Sequence, residues 1–70
     1  MNYTIIPTKE GKIKKFDRNF IFKENMMIFL IDEHKEDCVV VCDYGTKKHP
    51  QITPVASVNT VDGERYVVMA

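Results

Sequence analysis

The residues with chemical potential in this 70-residue chain are Cys38 and Cys42, His34 and His49, one serine at Ser57, and the acidic pairs Asp32-Glu33 and Glu36-Asp37. Cys38 and Cys42 flank Val39-Val40-Val41, a β-branched run that favours strand over helix. On a strand, four steps separate two Cα atoms by about 13 Å. A disulfide needs less than about 7 Å. The same separation keeps the two thiols from sharing one metal ion. They are expected as reduced thiols on one face of a strand, inside the core. Zinc sites carry close pairs such as C-x2-C, and none occurs here.

Catalytic patterns are equally thin. Ser57 follows Pro54 and lies outside any G-x-S-x-G elbow. Pairing Cys42 with His49 as nucleophile and base requires a meeting across the Gly45 loop. His34, among Asp32, Glu33, Glu36 and Asp37, is expected at a solvated hairpin tip, where close carboxylates would favour its protonated form. The chain lacks a phosphate-cradling glycine loop and a calcium-loop pattern. These readings predict a protein that is not an enzyme and uses no cofactor and no metal.

Cations interleaved with aromatics give a different signal. Lys12, Lys14, Lys15, Phe16, Arg18 and Lys23, with Phe20 and Phe22 among them, can follow a single strand of nucleic acid while the rings stack on bases. Tyr44, Lys47 and Lys48 extend the candidate binding set. The competing reading places the phenyl rings in the core and the lysines on the solvated side of an edge strand. The net charge is zero, which weighs against general nucleic-acid binding. The charge is uneven. Residues 1–25 carry six Lys and Arg against three acidic residues, +3; residues 26–70 carry four against seven, −3.

These side chains must be positioned by a very small body. Seventy residues form one domain over 1–70, with 44% hydrophobic and 29% charged residues. A core of this size supplies roughly 3–5 kcal/mol net without a staple. The start, Met1-Asn2-Tyr3-Thr4, resembles no secretory signal. The longest apolar run, Met26 to Ile31, is far short of a membrane span. A cytoplasmic protein with no membrane partner is expected.

Strand signals dominate the chain. Asn2 to Pro7 reads as a strand with Tyr3 and Ile5 on one side. Pro7 to Gly11 reads as a turn, Lys12 to Phe16 as a charged strand or extended loop, Asp17-Arg18-Asn19 as a break, and Phe20 to Lys23 as a partly alternating strand. Met26 to Ile31 lacks the polar face of a surface helix. It is read as a buried strand forming a core hairpin with Cys38 to Cys42. A helix from Asn25 as N-cap through Glu36 is the alternative. Gly45 to Pro50 is a loop, and Gln51-Ile52-Thr53 a short strand. Thr53-Pro54 suggests one short helical turn near Pro54. Asp62-Gly63 between β-rich flanks is a strong hairpin signal.

The fold class expected is mainly β: a small SH3-like barrel, or a strongly bent antiparallel sheet, of five to six short strands. The likeness to SH3-type barrels is one of strand count and turn placement. The function expected is that of a small binding module that regulates or inhibits a partner protein, since stand-alone chains of this size are common among regulators, adaptors and phage-type inhibitors. The alternative is a small-barrel nucleic-acid-binding protein using residues 12–23. An exposed sheet edge can pair with a partner's strand, and association with further copies would stabilise so small a core.

Overall fold

The computed structural model describes residues 1–9 and 14–70. Five strands, β1 (Asn2–Pro7), β2 (Phe16–Asn19), β3 (Cys38–Asp43), β4 (Ile52–Val61) and β5 (Glu64–Met69), form one antiparallel sheet in the order β2-β1-β3-β4-β5. A single helix, α1 (Lys23–Asp32), connects β2 to β3. The protein is mainly β, and the sheet does not close into a barrel: among the described residues no strand pairs with the outer edge of β2 or β5.

The strands are where period-2 patterning places them. Tyr3 and Ile5 are buried in β1; Cys38, Val40 and Cys42 are buried in β3. Both thiols therefore lie on one face of a strand in the core, and both are free. β4 and β5 are joined by Asp62-Gly63, both at positive φ (52° and 79°). That is the two-residue turn whose twist matches a hairpin.

Five expectations are corrected. Met26 to Ile31 is not a strand of a hairpin with β3. It lies in α1, which buries Met26, Phe29 and Leu30 and leaves Ile28 and Ile31 about half exposed. Nor is the helix the Asn25–Glu36 alternative: Phe22 occupies the N-cap without a side-chain bond, and the helix ends at Asp32. Next, Asp17-Arg18-Asn19 is strand rather than break, held on β1 by Tyr3↔Arg18 and Thr4↔Asp17 pairing. Phe20 to Lys23, read as strand, leads into the helix instead. Last, no helical turn forms near Pro54. β4 runs through it, and the register shifts between Val40 and Val41 as the partner changes from Ala56 to Pro54. Val55 is the extra residue of this bulge, which explains two successive buried positions, Val55 and Ala56. A bulge is also where a sheet tolerates proline.

The core lies between α1 and one sheet face. Ile5, Met26, Leu30, Cys38, Val40 and Val58 are fully enclosed. Phe20 links Tyr3 and Phe29, with ring centroids 5.9 and 5.6 Å away. No basic residue lies in the last turn of α1. Arg65 of β5 supplies the missing cation, donating to the carbonyls of Ile31 and His34, where the helix dipole favours positive charge. At the opposite end of β3, Asp43 Oδ1 accepts from the backbone N–H of Gly45 (2.8 Å) and Gln51 (2.9 Å), closing the loop between β3 and β4. Gly45 is required there: a Cβ would stand 2.1 Å from the His49 carbonyl oxygen.

Candidate functional site

The binding residues proposed from sequence do not form one surface. Lys12 and the Gly11 turn lie outside the described residues. Lys14 and Lys15 are exposed ahead of β2. Phe16 is half-buried against the core, its ring 5.7 Å from that of His34. Arg18 lies on the helix side of the sheet, 4.3 Å over the Phe29 ring and 5.4 Å over Phe20, with Glu33 at 4.0 Å. Lys23 begins α1 and donates to the Ala70 carbonyl at 2.7 Å. Tyr44, Lys47 and Lys48 are exposed around the loop after β3. Lys15 faces the opposite side of the sheet, beside Thr4, Ile6, Val41, Asp43 and Ile52. The rings of Phe16 and Phe20 are engaged within the fold, whereas Phe22 and Tyr44 are exposed.

His34 is the residue that sequence placed most wrongly. It is buried, not a solvated tip, because α1 ends just before it and turns it inward. Its ring stacks on Phe29 at 5.6 Å and tilts 59° to Phe16. Nε2 is enclosed with no hydrogen-bond partner among the described residues. Burial lowers its pKa below the usual 6.5; Glu36 pulls it up and Arg65 pushes it down further. The charged form that the neighbouring carboxylates suggested is therefore disfavoured. The unfolded chain takes up a proton near pH 6.5 and the folded chain does so only at lower pH, so stability declines as pH falls through that interval. Urea midpoints measured from pH 7.5 to 5 should fall in the wild type. His34→Phe keeps the aromatic stack and removes the enclosed nitrogen, so its profile should be flatter; identical slopes would contradict this role.

Asp37 sits beside it and joins three strands. Its carboxylate accepts from Thr60 Oγ1 (2.7 Å) and Thr60 N (3.1 Å), Lys9 lies 3.6 Å away, and its carbonyl accepts from Thr8 N (3.1 Å). The Thr60 hydroxyl bond is the largest effect on its pKa; burial, next in size, opposes it, and the Thr60 N–H and Lys9 add to the lowering, so the pKa lies below the ordinary value. Cys38 is inert: burial pushes its thiol up to about 11, and the Asp37 charge adds to this, so little thiolate forms at neutral pH. No group of three or more His, Cys, Asp or Glu side chains comes together in metal-binding geometry among the described residues.

Two features of the sheet have a binding geometry. One is the outer edge of β5. Val61 and Glu64 close a two-residue turn and form a hydrogen-bonded pair. Alternation then directs the N–H and C=O of Arg65, Val67 and Met69 away from β4. The Ala70 N–H bond to the Val55 carbonyl (2.9 Å) fits this phase. The other is the sheet face turned away from α1, where Ile6, Val39, Val41, Ile52, Pro54 and Val68 lie together. Sequence showed the alternation of each strand but not that the second face would lack a covering layer.

The described residues thus define a two-layer protein, one helix on a five-stranded open sheet, with an unpaired edge at β5 and one uncovered sheet face. Comparison with protein families, characterised proteins and solved structures found no match. No helix among the described residues is long and apolar enough to cross a membrane.

Proposed function

We propose that the protein is a non-enzymatic binding module that regulates or inhibits a partner protein by taking an extended strand of that partner along β5. The observation that carries this reading is the unpaired edge of β5 beyond β4. Edge strands are normally blunted by charge, proline or brevity. β2 follows that rule: it has four residues, with Asp17 and Arg18 at its centre. β5 has six, and its charges are confined to Glu64 and Arg65, while Val67-Val68-Met69 follow without interruption. Main-chain bonds to Arg65, Val67 and Met69 would hold the incoming strand, and exposed Tyr66 and Val68 would contact its side chains. The SH3-like and phage-type readings rest on size and strand content alone and add nothing to this mechanism.

The test is capture from cognate lysate with a photo-reactive group in place of Tyr66 on β5, and, as a control, in place of Asn19 on β2. A protein adduct is expected at position 66 and not at 19. Val67→Pro removes one outward N–H without touching the β4 ladder and should abolish the adduct, with circular dichroism confirming that the sheet persists. The second reading, nucleic acid along the exposed Lys14 and Lys15 ahead of β2, predicts instead nuclease-sensitive capture lost in Lys14→Glu plus Lys15→Glu. That outcome would replace the proposal.

A further inference from the structure

We propose that the sheet face opposite α1 is the interface of a two-fold dimer of this chain, stacking sheet on sheet. The inference does not need strand addition at β5: face-to-face stacking leaves the main-chain edge open, and the two sites share only the Val68 side chain.

The surface area carries the argument. A folded monomer of 8.1 kDa is expected to expose about 4,500 Å². This chain exposes 5238 Å², so the excess is on the order of 700 Å². A standard interface buries about 800 Å² on each partner. The shape agrees with the area. The Cα radius of gyration is 12.3 Å, against about 11 Å for a compact 70-residue domain. The extents are 41 × 26 × 17 Å, a slab two layers thick. A third layer is what the slab lacks.

Chemistry selects a second copy as that layer. The centre of the face is aliphatic: Ile6, Val39, Val41, Ile52, Pro54 and Val68. One groove on it carries both a cation, Lys15, and an anion, Asp43, beside Ile6, Val41 and Ile52. Asp43 engages only Oδ1 in closing its loop, leaving Oδ2 to accept. A two-fold axis through the groove sets Lys15 of each copy against Asp43 of the other, the reciprocal pattern of an isologous interface. A patch with both signs in one groove is self-complementary, and a chain of zero net charge meets no overall repulsion in pairing with itself. Aligned sheets stack about 10 Å apart with their inner side chains interdigitated, which suits the branched aliphatics here.

The experiment is sedimentation equilibrium of the whole chain from about 1 to 500 µM, on the wild type and on Ile52→Lys, Val68→Lys, Lys15→Glu and Val67→Pro. The wild type should reach twice 8.1 kDa within this range. Ile52 and Val68 are 66% and 56% exposed in the single chain, so their lysine variants should keep the far-UV spectrum of the fold while remaining at 8.1 kDa. Lys15→Glu should weaken association at least tenfold, and Val67→Pro should leave it unchanged. A wild type that stays at 8.1 kDa throughout overturns the proposal and leaves the face to a different protein. Association that survives both lysine variants but is lost in Val67→Pro also overturns it, by placing the copies edge to edge.

Discussion

Phe29→Ala should lower the unfolding free energy by about 3–4 kcal/mol, whereas Ile28→Ala should change it by about 0.5 kcal/mol or less. The two residues are adjacent and similar in hydrophobicity, so only geometry separates them. Phe29 is buried under Phe20, stacks on His34 and carries the Arg18 guanidinium at 4.3 Å. Truncation removes all three contacts and leaves a cavity that α1 cannot close without shifting. Ile28 is 52% exposed, and alanine raises the helix propensity at its position. A strand through Met26 to Ile31 would invert the outcome, because alternation would put Ile28 on the side of Met26 and Leu30 and turn Phe29 outward. Urea unfolding of the two variants decides between these arrangements; equal losses, or a larger loss for Ile28→Ala, would refute the helix register. A core that supplies only roughly 3–5 kcal/mol net leaves Phe29→Ala partly unfolded at moderate temperature.

Asp37→Ala should lower Tm by roughly 10 °C, the order expected for losing two hydrogen bonds to one charged carboxylate in a domain of this size. The substitution removes the acceptors of both the Thr60 hydroxyl and the Thr60 N–H, two part-buried bonds that tie the start of β3 to β4. It should also change the acid limb of the stability curve. The folded pKa of Asp37 is depressed, so its contribution is complete above the unfolded value near 3.8 and disappears as pH falls through the folded value. The wild type should therefore lose stability steeply below about pH 4, with Asp43, depressed by the Gln51 and Gly45 N–H groups, adding to the slope. Asp37→Ala should have a shallower acid limb. Parallel curves for wild type and variant would mean that the Thr60 bonds contribute nothing. The His34 interval lies higher, near pH 6.5 and just below, so the two transitions are separable.

The strands β1, β3 and the β4–β5 hairpin were legible because each combines alternation with a turn residue of defined geometry, above all Asp62-Gly63. The helix was hidden for a physical reason. Met26 to Ile31 is apolar on every side, so no periodicity distinguishes its buried Met26, Phe29 and Leu30 from exposed Ile28 and Ile31. Phe22 at the N-cap gives no side-chain signal, and the cation at the C-terminal end, Arg65, comes from 33 residues beyond Asp32. β2 was hidden because Asp17-Arg18-Asn19 has the composition of a turn and gains its extended form only by pairing with β1. Pro54 misled because its tolerance depends on the bulge at Val55 beside it, which exists only in the register that β4 takes against Val40 and Val41. The candidate binding residues fared according to their elements. Lys14, Lys15, Lys47 and Lys48 are exposed, and Phe16, Arg18 and Lys23 are engaged by His34, Phe29 and Ala70. The β5 edge and the open face are properties of strand order, which no local pattern encodes.

Strand order also governs how the chain assembles. β1–β2 and β3–β4–β5 are each built from strands adjacent in sequence, and they meet only where β1 lies against β3, from Tyr3↔Cys42 to Pro7↔Cys38. Closing that seam joins residues more than thirty positions apart, an entropic cost that local hairpins avoid. The C-terminal meander should therefore mature first, with the N-terminal ribbon docking last under the helix. Slow refolding on the millisecond scale or longer, and hydrogen exchange that opens at the β1–β3 seam before the β4–β5 turn, are the kinetic signature of such an order.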